Sequence, residues 1–328
     1  MDTVEILRVN LLSPLVLAFV LGMIATIVKS DIEFPEPVYK FISIYLLLAI
    51  GINGGVELAG TSLAEFLLPA IVTIFLAVAV PTWCYLILRR VGKFDPSNAA
   101  GIAAHYGSVS SVTFIAAVSF LEALDVSSEG FLPTLVALME WGVIVALFIG
   151  RFALKRSDTS LRDVVRDTLT GRSVILLMGG LLMGFTIGET GYERIEPVFG
   201  DLFRGVLVLF LLEMGMVAAR QLREFAKVGP FMVGFGIVMP IIHGIIGVTL
   251  GQLIGMSVGG SFVLGAITAS ASYIDAPAAV RATLPRANPS VYLTSPLGIT
   301  LPFNLIIGLP LYYQYAQQLQ LWLYQIGM

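Results

Sequence analysis

The sequence predicts an all-α membrane protein of ten transmembrane helices, arranged as two inverted five-helix repeats. Three observations carry that prediction. The 328 residues are 57% hydrophobic and 12% charged, with a mean hydropathy of +0.91, where a soluble domain carries roughly 25% charged residues. Apolar runs of the ~20 residues needed to cross a hydrocarbon core recur along the whole chain. The second half also repeats the first at a nearly constant offset.

Ten spans read at 13–28, 37–56, 67–88, 97–121, 131–150, 172–188, 197–217, 229–254, 259–284 and 289–320. The first apolar run, Leu11 to Val28, follows a mixed acidic and basic start and lacks a small-residue cleavage site. It therefore reads as a span and not as a cleaved leader. The last run exceeds what a bilayer needs. Its tail YYQYAQQLQLWLYQIGM has the Tyr and Trp of a membrane–water interface, so the chain beyond Gln314 is expected there. Alternating the loops places all of the 19 Lys and Arg except Arg8, Arg194 and Arg204 on one side. That side is cytoplasmic by the positive-inside rule, with both termini outside the plasma (inner) membrane.

The repeat is read from four segment pairs in order. Pro37 and Pro197 open PVYKFISIYLLLAIGINGG and PVFGDLFRGVLVLFLLEMG, 160 residues apart. Pro69 and Pro230 pair LPAIVTIFLAVAVP with GPFMVGFGIVMP at 161. GSVSSVTFIAAV and SASYIDAPAAV pair Ser108 with Ser270, Ser110 with Ser272 and Thr113 with Asp275, at 162. Pro133 and Pro296 follow at 163. Five spans is an odd number, so the second copy enters from the opposite face, as in many secondary transporters. Residues 1–154 are the first repeat and 172–328 the second. The charged stretch between them, 155–171, is a cytoplasmic linker, read as a short solvated helix.

Spans four and nine carry the candidate chemistry. AAHYGSVSSVTFIAA and TASASYIDAPAA are poor in large aliphatics and rich in Gly, Ser and Thr, and Pro277 removes a backbone donor after Asp275. Helices broken there would strand polar backbone groups, which is tolerable only where protein or water satisfies them. Amides at a half-helix N-terminus hold an anion, while freed carbonyls and hydroxyls suit sodium. Small residues that merely let helices pack closely are the rival reading, and two clusters in matched repeat positions favour the binding site. An aspartate near the bilayer centre costs ~3 kcal/mol, so Asp275 is assigned to the cation unless it pairs with Arg281. Glu140, mid-span in ALMEWGVIVALF, is a second cation or proton group, or pairs across the core. Glu213 could face a subunit contact. His105 and His243 read as structural histidines, with a carbonyl freed by Pro240 available to His243.

The remaining composition is restrictive. Two histidines and one cysteine give no metal cluster, and Cys84 reads as a packed thiol. No Gly-rich nucleotide loop is present, no nucleophile–base–orienter set supports an enzyme, and a membrane anion sensor would lack an output domain. No organic cofactor is expected.

DLFRGVLVLFLLEMGM, MPIIHGIIG and, most specifically, VRATLPRANPSVYLTS resemble the sodium-dependent bicarbonate transporters of cyanobacteria, over essentially the whole chain. The resemblance implies core and gate domains, a homotrimer, and elevator-type inward transport of sodium with bicarbonate. Carried onto this chain, it puts the site at Gly107, Ser108, Ser110, Ser111 and Thr113 of span four, and at Ser270, Ala271, Ser272 and Asp275 of span nine. We divide these into an anion set (Gly107, Ser108, Ser110, Ser111, Ser270, Ala271, Ser272) and a sodium set (Thr113, Asp275, Ser272, with Glu140). Two departures stand out. The family's carboxylate follows the span-nine serines directly, whereas here Tyr273 does and Asp275 comes two residues later. The linker is also shorter than in cyanobacterial members, which leaves less surface for the PII-like regulatory partner that the resemblance suggests. The alternative cargo is another small anion, such as a short carboxylate, carried with sodium or protons.

Overall fold

The computed structural model describes residues 3–154, 166, 170–222, 229–273 and 276–326. Among these the chain is helical, with no strand. Eight helices are long and apolar enough to cross a membrane, or nine if a bent pair at the start counts as one. That pair is α1 (Thr3–Leu11) and α2 (Pro14–Ile27), which meet at 61°. Ser13 is the cause: its hydroxyl accepts from the Val16 amide and Pro14 occupies the first turn, so a new helix starts there.

Two long helices follow, α3 (Glu36–Ala59) and α4 (Leu63–Arg90). The region of predicted span four is α5 (Pro96–Gly107) and α6 (Ser111–Ala123), and that of span five is α7 (Leu132–Met139) and α8 (Gly142–Ala153). The second half runs α9 (Arg172–Tyr192), α10 (Leu202–Leu222) behind a π-helical turn at Pro197–Asp201, and α11 (Gly229–Leu253). The region of predicted span nine is the short apolar α12 (Val258–Thr268) and α13 (Ala276–Thr283). A helical run from Pro289 to Gln325 closes the chain. It comprises α14 (Pro289–Ser295), π-helical turns at Pro296–Thr300 and Asn304–Gly308 around Leu301–Phe303, and α15 (Leu309–Gln325). Most of the 155–171 linker and Asp275 lie outside the described residues.

The contacts sort the helices into two sets. In the first, α3 packs along α9 and α2 along α10. Both seams are built from glycine against backbone. A Cβ on Gly55 would lie 2.1 Å from the Leu181 carbonyl oxygen, and one on Gly184 would lie 2.0 Å from that of Ile52. Gly22 and Gly215 face the Leu212 and Phe19 carbonyls in the same reciprocal way, at 1.9 Å each. In the second set, α5 is wedged between α4 and α8, and α12 between α11 and α15. Of the most apolar window in α5–α6, 94% is buried, against 33% for α4 and 22% for α9. Protein therefore surrounds α5–α6, while α4 and α9 present stripes such as Leu67, Ile71, Ile74 and Val78 outward. An interruption of α5–α6 is affordable because no lipid meets it.

Candidate functional site

The chain between α5 and α6 is extended at Ser108 (φ −110°, ψ 158°) and at Ser110 (φ −89°, ψ 107°). Ser110 caps α6: its hydroxyl accepts from the Thr113 amide at 3.2 Å, which leaves the Ser111 and Val112 amides with no acceptor inside the helix. The chain leaving α12 crosses this segment, and three bonds stitch the two together. The Ser110 amide donates to Ser270 Oγ (2.9 Å), whose own proton goes to the Ile267 carbonyl (2.7 Å). The Ser272 amide donates to the His105 carbonyl (2.8 Å), and His105 Nδ1 lies 2.5 Å from the Ser272 carbonyl oxygen.

All seven residues of the anion set lie in or beside this crossing, and all are buried. Gly107 plays a packing part as well, since a Cβ on it would meet Pro81 at 2.6 Å. From the sodium set, Ser272 and Thr113 are brought in, both buried. Glu140, 3% exposed at the joint between α7 and α8, accepts a hydrogen bond from Ser108 Oγ. Asp275 lies outside the described residues, as does any pairing with Arg281. Glu213 is 8% exposed on α10. The carbonyl-rich end of α5 is thus followed closely by the amides that open α6, and the chain leaving α12 is bonded against both. Partial charges of both signs converge there.

Two supporting residues escaped the sequence reading. Asn304 donates from Nδ2 to the Ala269 carbonyl at the end of α12 (2.9 Å) and accepts from the Tyr312 hydroxyl (2.9 Å). The available signal was an amide in the middle of an apolar run, where polar groups are costly and seldom idle. Tyr106 is the other. Thr300 Oγ1 spends its proton on the Gly236 carbonyl (2.8 Å), so at 2.7 Å Tyr106 must donate to Thr300 and accept from Ser295 (2.6 Å). We expect Asn304→Leu to lower stability by about 2–4 kcal/mol, because it strands the Ala269 carbonyl and the Tyr312 hydroxyl. Thermal unfolding checks this, and adding Tyr312→Phe should restore part of the loss.

His243 finds its partner elsewhere than expected. Its Nε2 accepts from Trp83 Nε1 on α4 (2.7 Å), and its Nδ1 is buried without a hydrogen-bond partner, so no carbonyl freed by Pro240 takes its proton. Cys84 is buried and free, with Sγ 3.8 Å from the same nitrogen.

A cavity of about 640 Å³ opens between α3, α9 and α10 on one side and α6 and α7 on the other. It runs from Phe114, in the first turn of α6, past Asn53 and Glu57 to a rim where Arg204 pairs with Glu122 at 3.2 Å.

No curated protein matches the chain. A family model described as the Na+-dependent bicarbonate transporter superfamily matches residues 14–317, which is nearly the full length. A multi-pass helical protein whose buried serine-rich segments after α5 and α12 bond to one another therefore belongs to the Na+-dependent bicarbonate transporter superfamily.

Proposed function

We propose that the protein carries bicarbonate inward with sodium, binding both at the crossing of the two interrupted helices. The observation that carries this reading is the set of three bonds joining residues 105–110 to 270–272, because it puts the end of α5, the start of α6 and the chain leaving α12 together where lipid cannot reach. A small, planar, singly charged anion can be held by the α6 amides and the hydroxyls of Ser108, Ser110 and Ser111 without an arginine. Carbonyls of the 268–272 segment, Thr113, Glu140 and Asp275 are assigned to sodium, a hard cation that prefers oxygen.

The internal symmetry supports an inverted repeat. Trp83 and His243 touch at a separation of 160 residues, one short of the offset that pairs Pro69 with Pro230, and Ser110 bonds to Ser270, the repeat equivalent of Ser108, so each contact joins residues at or beside repeat equivalents. Residues meet their own repeat equivalents only near a two-fold axis. The glycine seams obey the same relation, with Gly55 and Gly215 160 apart and Gly22 and Gly184 162 apart. On this reading α2, α3, α9 and α10 are the gate and the remaining helices the moving core, within ten spans. The cavity lies on the face poorer in Lys and Arg, so it is the outer vestibule of an outward-open state. The trimer, the inner-membrane location with both termini outside, and a PII-like partner belong to the same proposal.

Labelled bicarbonate uptake into proteoliposomes tests it, at high pH with empty vesicles as the control for leakage. Accumulation that requires an inward sodium gradient is the expected result. Accumulation of a short carboxylate instead would move the cargo assignment to that anion and leave the site in place.

A further inference from the structure

Resting on that site assignment, we infer that His105 is a positioning residue for the coupling ion, acting through the main chain of Ser272. His105 is fully buried, one turn ahead of Ser108, and grips both polar groups of one residue. Its carbonyl accepts the Ser272 amide, and its imidazole reaches the Ser272 carbonyl at 2.5 Å. A carbonyl can only accept, so the proton sits on Nδ1. Nε2 then carries the lone pair, and it is sealed from solvent without a partner. The ring is held flat against Tyr292, with centroids 5.2 Å apart and planes at 22°.

The consequence for sodium follows from the inventory of lone pairs. A carbonyl oxygen has two. The imidazole takes one of those on Ser272 and thereby fixes where the other points. A cation ligand with a fixed direction costs nothing to orient at the moment of binding, whereas a free one must be ordered first. The second anchor of this segment is independent: Asn304 holds the Ala269 carbonyl three residues earlier. The segment should therefore survive the loss of the imidazole while losing the direction of one ligand.

The geometry supplies its own controls. The amide nitrogen of asparagine reaches the place of Nδ1, and that of glutamine the place of Nε2. We expect His105→Leu to raise the half-saturating sodium concentration about 10-fold or more, with the maximal rate within about 3-fold of the parent protein. His105→Asn should restore the parent sodium dependence and His105→Gln should not. A second readout needs no cargo. Sodium binding to the purified protein without bicarbonate, read by calorimetric titration, should weaken about 10-fold in His105→Leu and His105→Gln but not in His105→Asn. Should His105→Leu fail to fold, the Asn and Gln pair carries both measurements. A lower maximal rate with unchanged sodium dependence overturns the proposal, as does identical behaviour of Asn and Gln. If the parent protein takes up no bicarbonate, the cargo assignment fails, and the sodium titration still decides the role of His105.

Discussion

Gly142→Ala is expected to abolish the folded protein, although it adds one methyl group in a helix where alanine is the better residue by propensity. The added Cβ would lie 1.8 Å from the Gly107 carbonyl oxygen, 2.6 Å from its carbon and 2.9 Å from the Ala77 carbonyl oxygen. All three are backbone atoms, so no rotamer change relieves the overlap. Overpacking in a filled core costs about 1–3 kcal/mol even when side chains can yield, and here α8 must move off α5 as a body. We expect a loss of at least about 3 kcal/mol, seen as loss of a monodisperse species in detergent. Gly179→Ala is the matched control: nothing stands within 4 Å of its added Cβ, and a helix interior gains about 0.5–1 kcal/mol from the change. Equal loss in both variants would show that the α5–α8 contact has no special standing.

Glu140→Gln should leave the fold intact and remove sodium-driven uptake, by about 50-fold or more on the scale of a lost charge-assisted ligand. The side chain is 3% exposed and takes the proton of Ser108 Oγ, the first residue of the interruption after α5. Glutamine keeps the shape and an acceptor oxygen for Ser108, so packing changes little while the negative charge is lost. The measurement is initial uptake against sodium concentration, alongside the melting temperature. An unchanged sodium dependence would take Glu140 out of the coupling machinery and leave it a support for Ser108. Asp275→Asn, measured in the same way, separates the two carboxylates assigned to the cation.

Much of this architecture is written in local composition. Leucine-rich runs locate the long helices, and the places where Gly, Ser and Thr replace leucine are where α5 gives way to α6 and α12 ends. The bend at Ser13 was also signalled, by a serine cap directly before Pro14, but the polar stretch ahead of it hid α1. What stayed hidden depends on distant partners. Hydropathy ranks His105 as a buried histidine; that its partner is the Ser272 carbonyl, 167 residues on, is a fact of folding. Asn304 reads as one polar residue in LPFNLIIG until the end of α12, 35 residues away, is brought against it. At the joint of Glu140 and Trp141 the local signal is Gly142 just beyond it, which equally suits close helix packing, so the sequence does not announce that α7 stops at Met139. His243 shows the reverse error: the nearby proline suggested a partner, and an indole from α4 supplied one.

The glycine seams between α3 and α9 and between α2 and α10 have a mechanical meaning. Each works as a keyed joint. Gly55 faces the Leu181 carbonyl and Gly184 the Ile52 carbonyl, so turning either helix about its own axis by one residue, ~100°, would carry Val56 or Phe185 and its Cβ toward a peptide oxygen. At these glycines the opposing atoms are backbone, and no rotamer change moves them aside. The helices of each pair can tilt together, but they cannot roll against one another.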